Sequence, residues 1–320
     1  MRAELHLVDQ RPCDDAGAAW VLEAGERKTG CEDSHRVARV RSGLSSVDAV
    51  RSCTADAGDE ELDETISTLH ERGYLDALGS AGPSPEMLPS WSAPGMPADT
   101  PVTAGAVTAA REGVRTAITA AHLTLSGASL SYALCRPPGH HAGPSWLGGY
   151  CYMNNAAAAL RTLRSGGVQR IGILDIDLHY PNGTAVFAAE DRVPLHSLHA
   201  YPVTNVPDQT VVPCCAEERT FEFRRPPGPR EYLAALERSL ATLSPGVDAL
   251  VVCVGYDIVR GDPHGCWTLA PSIFASIGAR LAAAGRPLCI VQEGGYALDG
   301  LADCGRAFAA GLLNGEDGCS

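Results

Sequence analysis

Four short apolar runs, each broken off by glycine, proline, acid or histidine, constrain this chain more than any other feature. Residues 130–135 (LSYALC) run into Arg136-Pro-Pro-Gly-His140-His141. An apolar run from Ile171 ends in Asp175-Ile-Asp177-Leu-His179. Ala249–Val254 (ALVVCV) runs into Gly255-Tyr256-Asp257, and residues 287–292 (PLCIVQ) run into Glu293-Gly-Gly-Tyr296. Short apolar runs bounded by turn residues read as buried strands. Stretches with helical character lie between them, at 154–165, Pro229–Leu243 and 270–284. Strands alternating with helices predict an α/β fold on a parallel sheet. Ligands of such sheets bind beyond the carboxyl ends of the strands, so the four motifs are expected to converge on one rim and form one active site.

The segment 171–184 (IGILDIDLHYPNGT) carries the sharpest chemistry. If it stays extended, residues two apart face the same way, and Asp175, Asp177 and His179 line one face. Two carboxylates and an imidazole suit a metal site. The same residues would also serve as a loop capping the next helix. The other three motifs favour the metal.

The 320 residues are 45% hydrophobic and 20% charged, ordinary globular composition, and no linker or repeat divides them; a single domain over 1–320 is expected. The net charge of -13 argues against nucleic acid and anionic membranes as partners. No basic-then-apolar leader opens the chain and no run approaches a membrane span, so a cytoplasmic protein is expected. The twelve cysteines contain no Cys-x-x-Cys pair, which argues against a structural zinc ribbon. Cys135, Cys151, Cys253 and Cys289 read as small buried apolar groups. The vicinal Cys214-Cys215 pair falls in a loop. Asn182-Gly-Thr, formally a glycosylation sequon, reads as part of the active-site loop.

Taken together, the segment 132–155 (YALCRPPGHHAGPSWLGGYCYMNN), LDIDLH, Asn182-Gly183-Thr184, Gly255-Tyr256-Asp257 with Asp262-Pro263, and Glu293-Gly-Gly-Tyr296 resemble the zinc-dependent histone deacetylase superfamily. Bacterial acetylpolyamine amidohydrolases look most similar. The resemblance covers roughly residues 66–310. It implies a single-domain arginase–deacetylase fold, with a mostly parallel sheet of about eight strands flanked by helices.

By that resemblance Asp177, His179 and Asp257 hold the metal, zinc (Zn2+) with Fe2+ or Co2+ as alternatives. Two carboxylates neutralise most of a divalent charge and acidify bound water less than three imidazoles, so a protein base becomes necessary. His140 and His141 are the implied acid–base pair, with His141 the base. Asp175 is expected to bond His140, and Asn182 to orient His141 without charging it. Tyr296 is the implied oxyanion donor. Gly149 and Tyr150 are the implied substrate-binding residues of the channel. Asp175, Asp177, His179, Ser197, Leu198 and His199 resemble a structural potassium (K+) site. Arg36 matches a family arginine of an internal acetate passage only poorly.

Some positions depart from the family pattern. Tyr180-Pro181 replaces a histidine and a glycine, which puts the loop carrying Asn182 in doubt, because proline fixes φ and lacks a donor. Residues 201–229 are shorter and richer in proline than the family's glycine-rich loop, and the 79–100 segment looks abbreviated. The expected activity is removal of an acetyl or related acyl group from a small amine, such as an acetylpolyamine or an N-acetylated biosynthetic intermediate, by a monomer or homodimer. The alternatives are a protein acetyl-lysine deacetylase and a catalytically inactive binding protein. A binuclear ureohydrolase is disfavoured, since no adjacent carboxylate pair follows Asp257.

Overall fold

The computed structural model describes residues 3–13, 20–23, 25–93, 98–200 and 219–314. Most of the 201–229 loop, with Cys214-Cys215, lies outside these residues, as do Pro94 and Pro97.

The chain opens with β1 (Leu5–Asp9), an antiparallel hairpin of β2 (Trp20–Glu23) and β3 (Glu26–Thr29), α1 (Ser34–Ser45) and β4 (Val50–Thr54). Helices α2 (Asp59–Leu69), α3 (Arg72–Gly79) and α4 (Ala104–Leu125) follow. Strands and helices then alternate: β5 (Leu130–Leu134), α5 (Asn155–Ser165), β6 (Ile171–Asp175), α6 (Asn182–Asp191) and β7 (Leu195–Ala200). The last described part holds β8 (Arg219–Phe223), α7 (Pro229–Leu243), β9 (Ala249–Val254), α8 (Ile273–Ala283), β10 (Leu288–Gln292) and α9 (Leu298–Asn314).

Eight strands form one sheet in the order β4-β1-β5-β10-β9-β6-β7-β8, and every pairing in it is parallel. The expected "mostly parallel" sheet is therefore wholly parallel among the described residues. The four strands that carry the motifs, β5, β10, β9 and β6, are contiguous at its centre. Each is buried throughout, which is why each reads as an unbroken apolar run.

The two faces differ in side-chain size. Leu250, Val252 and Val254 of β9 join a core with Phe274 of α8 and Phe308 of α9. Val251 and Cys253 point the other way, against Ala117 and Ala120 of α4 and Ala156 and Leu160 of α5. The buried cysteines Cys135, Cys253 and Cys289 all lie in this second core, filling space beside alanines as small apolar groups. On the other face α1 meets α9 closely: a Cβ built on Gly43 would lie 2.0 Å from the Ala302 carbonyl oxygen.

The helix expected over 270–284 begins at Ile273, because residues 270–272 form a turn in which the Ile273 amide bonds the Ala270 carbonyl. That expected from 154 starts one residue later, with Asn154 as its cap, its side chain accepting from the Ala157 amide. Among the described residues no helix is long and apolar enough to cross a membrane.

Candidate active site

The loops after β5, β6, β9 and β10 meet at the carboxyl end of the sheet centre. The strand expected to carry Asp175, Asp177 and His179 on one face stops at Asp175. A turn brings the other two in. Asp175 Oδ1 accepts the Asp177 amide at 3.0 Å, and Asp177 Oδ1 accepts the His179 amide at 2.9 Å. Successive Asx-type bonds thus replace the strand ladder. Asp257 Oδ1 accepts the Leu178 amide at 3.0 Å, and Asp177 Oδ2 accepts the Gly294 amide at 2.9 Å. Backbone donors from the loops after β6 and β10 therefore fix both carboxylates.

Asp177, His179 and Asp257 offer one ligand atom each, all within 4.8 Å of one another. His179 Nδ1 lies 3.1 Å from Asp177 Oδ1 and 3.1 Å from Asp257 Oδ2. Burial opposes charge on this imidazole, but the two carboxylates overcome it and raise its pKa well above the ordinary value. Such a concentration of negative charge at three converging donors fits a divalent cation. Two glycines make the room. A Cβ at Gly255 would fall 2.1 Å from Asp177 Oδ2, and one at Gly294 would fall 2.6 Å from the same oxygen and 2.7 Å from Asp257 Oδ2. A second cluster, His140, Cys151 and Glu293, is equally close-set. Its glutamate is held through one oxygen: Glu293 Oε2 accepts the Gly139 and His140 amides at 2.7 and 3.0 Å, while Oε1 has no hydrogen-bond partner among the described residues.

His140 and His141 differ in partner. His140 Nδ1 sits 3.2 Å from Asp175 Oδ2, and its Nε2 is 3.7 Å from Asp177 Oδ1. Burial works against its charge, Asp177 and Asp175 outweigh burial, and its pKa is raised to about 10. His141 Nδ1 lies 2.7 Å from Asn182 Oδ1, a neutral acceptor. Burial, then the charge on His140 and His179, hold the His141 pKa well below the ordinary value. With Nδ1–H donating to Asn182, Nε2 carries the free lone pair. Asn182 begins α6, and the amides of Gly183 and Thr184 in its first turn donate to the His140 carbonyl at 3.1 and 3.0 Å. Tyr180-Pro181 does not draw Asn182 away from His141. The Tyr180 ring packs on His199, 5.1 Å between centroids.

Gly149 and Tyr150 both adopt positive φ, +54° and +66°. At Gly149 only glycine fits: a Cβ would lie 2.5 Å from His141 Cδ2. Asp99 and Thr100 anchor the turn, Asp99 Oδ1 accepting the Gly149 amide at 3.2 Å and Thr100 Oγ1 the Tyr150 amide at 2.9 Å. Tyr150, Tyr296 and Val21 of the β2–β3 hairpin form a small apolar cluster. Burial holds the Tyr296 phenol well above its ordinary pKa, against the pull of Arg36, so it remains a hydrogen-bond donor.

Arg36 is 1% exposed. It donates to the carbonyls of Gly295 and Glu293 at 2.7 Å each and pairs with Glu32 at 2.8 Å. It therefore underpins the turn that carries Tyr296. Ser197 sits opposite Asp175 in the β6–β7 register, with Leu198 next to it in β7. Sequence reading missed Glu32, Asp99, Thr100 and His264. Only Asp262-Pro263 pointed to the loop that holds His264, and nothing local marks the others.

The sequence profile of the histone deacetylase domain family matches residues 30–312. Acetylpolyamine amidohydrolase 1 of Pseudomonas aeruginosa is 33% identical over 69% of this chain, which spans just under two thirds, 66%, of that relative. The acetylpolyamine amidohydrolase of Mycoplana ramosa is 31% identical over 87% of this chain and 85% of its own length. A solved acetylpolyamine aminohydrolase from Burkholderia pseudomallei superposes with a TM-score of 0.79 at 25% identity, covering 98% of this chain and 99% of that one. The four motifs, the eight-stranded parallel sheet and these matches agree, and the chain belongs to the histone deacetylase domain family.

Proposed function

We propose that this protein is a metal-dependent amidohydrolase that removes an acetyl or related acyl group from the amine of a small molecule. One observation carries the reading: the Asp177–His179–Asp257 donor set lies beside two histidines of opposite protonation preference. A dead binding protein has no need of that asymmetry. Bound by Asp177, His179 and Asp257, a divalent ion would supply Lewis acidity to the amide carbonyl and acidify water. Zinc is the expected ion, and the oxygen-rich set also suits Fe2+ or Co2+.

The side chains then divide the work. His141, held neutral with Nε2 free, takes a proton from the attacking water. The Tyr296 hydroxyl donates a hydrogen bond to the carbonyl oxygen as charge builds on it. His140, held charged by Asp175 and Asp177, gives a proton to the leaving amine. Water adds to the carbonyl carbon, the C–N bond breaks, and carboxylate and amine leave. Gly149 and Tyr150 wall the channel that admits the acylated amine. The adjacency of Asp175 and Ser197 across β6 and β7 supports a structural potassium ion behind the site.

The names of the acetylpolyamine amidohydrolases among the relatives support a small acylated amine, with acetylpolyamines as the leading class. The test is kcat/KM for acetylpolyamines, N-acetylated metabolites and acetyl-lysine peptides on metal-loaded protein. A tenfold or greater preference for histone peptides over every small amine overturns the substrate reading. No turnover of any acylated amine overturns the enzyme reading.

A further inference from the structure

Three elements meet around the Tyr296 ring. Tyr150, after β5, lies 5.5 Å away between centroids. His264, in the loop after β9, stands edge-on at 4.8 Å and 82°. Arg36, from α1, sets its guanidinium carbon 4.3 Å from the ring centre. Tyr150 and His264 are themselves joined, hydroxyl to Nε2, at 3.0 Å. The Tyr150 hydroxyl also accepts the Cys31 amide at 3.4 Å, which leaves its own hydrogen for Nε2. Asp262 ties the backbones together. Its Oδ1 accepts the His264 amide at 3.0 Å, and its Oδ2 accepts the Tyr296 and Ala297 amides at 2.6 and 3.1 Å.

We propose that His264 is a positioning residue for Tyr296: its Nε2 accepts the Tyr150 hydroxyl hydrogen, and the bridged pair clamps the Tyr296 ring against Arg36. The proposal rests on the amidohydrolase reading, in which the Tyr296 hydroxyl meets the substrate carbonyl. The Asp262 bonds fix only the Tyr296 backbone. A phenol still swings about its side-chain torsions, and an oxyanion donor must hold its place within about 0.5 Å. An aliphatic residue at position 264 would fill space beside the ring. The imidazole adds two things: an edge-to-face contact with Tyr296, and an acceptor that stops Tyr150 from turning away. The clamp thus draws on two loops that the sheet centre brings together, and Tyr150 serves both as channel wall and as the link between them.

The test uses His264→Phe, which keeps an aromatic ring and loses the acceptor, Tyr150→Phe, which loses the donor, and the double variant. Metal content and thermal midpoint confirm that each variant is loaded and folded. Each single change is expected to lower kcat about 10- to 100-fold with KM little moved, as for a misplaced catalytic group. The double variant should be no worse than either single one, because both remove the same bond. His264→Gln, which restores an acceptor, should recover part of the rate. Losses that add up, or a change confined to KM, overturn the clamp in favour of a channel wall alone.

A second readout needs no turnover. In protein with 15N-labelled histidine, the His264 resonances are assigned by their loss in His264→Phe. Nε2 should appear as an unprotonated acceptor that shifts in Tyr150→Phe, and the Tyr296 ring should flip faster in both variants. An Nε2 that stays put in Tyr150→Phe, or an unchanged ring flip, rejects the proposal. Wild-type protein that turns over no acylated amine rejects the amidohydrolase reading instead, and the clamp then stands or falls on the resonances.

Discussion

His140 and His141 are chain neighbours whose rings lie 4.1 Å apart between centroids, yet their environments drive them to opposite charge states. Both are buried, so desolvation alone would keep both neutral. The difference is in what each Nδ1 meets: the Asp175 carboxylate at 3.2 Å in one case, the Asn182 amide oxygen at 2.7 Å in the other. Once His140 is charged, it further disfavours a charge on His141. A tandem repeat of a single residue type thus presents one charged and one neutral imidazole.

This asymmetry predicts a bell-shaped pH profile. Activity needs His141 neutral and His140 protonated. Falling pH removes the base as it passes the His141 pKa, which lies well below the ordinary histidine value of about 6.5. Rising pH removes the acid as it passes the His140 pKa, raised to about 10. A bound cation offsets part of the Asp177 charge, which draws the basic limb below that value. Measured kcat on metal-loaded protein should therefore plateau through neutral pH. An acid limb centred above about pH 7 is incompatible with a neutral His141.

Asn182→Ala removes the acceptor that orients His141 and fixes its tautomer. The expected loss in kcat is about 10- to 100-fold, the usual effect of deleting a group that orients a catalytic or liganding imidazole. Metal content should stay at one ion per chain, since Asn182 belongs to none of the three donors. Metal analysis beside steady-state kinetics checks both halves. Equal losses of metal and rate would assign Asn182 to the metal site instead.

Asp257→Ala removes one anionic donor and leaves the Leu178 amide without its acceptor. Metal and activity should fall together, read by metal analysis of the purified protein. Gly294→Ala tests the same centre differently. Its new Cβ would press on Asp177 Oδ2 and Asp257 Oδ2 at 2.6 and 2.7 Å. The expected result is metal affinity lowered at least about tenfold, as for a disturbed liganding shell. Stoichiometric, tightly held metal in both variants would remove this donor set from consideration.

Gly43→Ala addresses the fold away from the site. The added methyl would lie 2.0 Å from the Ala302 carbonyl oxygen, a rigid backbone atom, so α1 and α9 must separate. Overpacking of this kind costs about 1–3 kcal/mol. Thermal or urea unfolding should show that loss. Because α1 also carries Arg36, kcat should fall modestly as well. Unchanged stability would mean that the helices can part freely.

The central elements were legible because their physics is local. β9 at Ala249–Val254 and α7 at Pro229–Leu243 match the sequence reading residue for residue. A strand buried on both faces must be apolar throughout, and a helix opened by Pro229 advertises its start. Asp177, His179, Asp257 and the histidine pair were singled out through the resemblance of the motifs that end four buried strands, and the structure brings these residues together. The reading went wrong at Asp177 and His179, placed on a strand that stops at Asp175. Alternation along a sequence does not reveal that a side chain will take over the next backbone amide.

By itself the sequence determined the strand–helix alternation and the rim where the motifs gather, and its resemblance to a known family pointed to the candidate donor set and the histidine pair. The partners that set which histidine is charged, Asp175 and Asn182, were expected from the family resemblance, and tertiary structure brings them in from 35 and 41 residues away. Tertiary structure alone placed Arg36 under the Tyr296 turn, through bonds across 257 and 259 residues, and His264 against Tyr150 across 114. Such contacts leave no periodic trace. Each depends on where the sheet order sets two loops side by side, and protonation and orientation follow from that placement rather than from residue type.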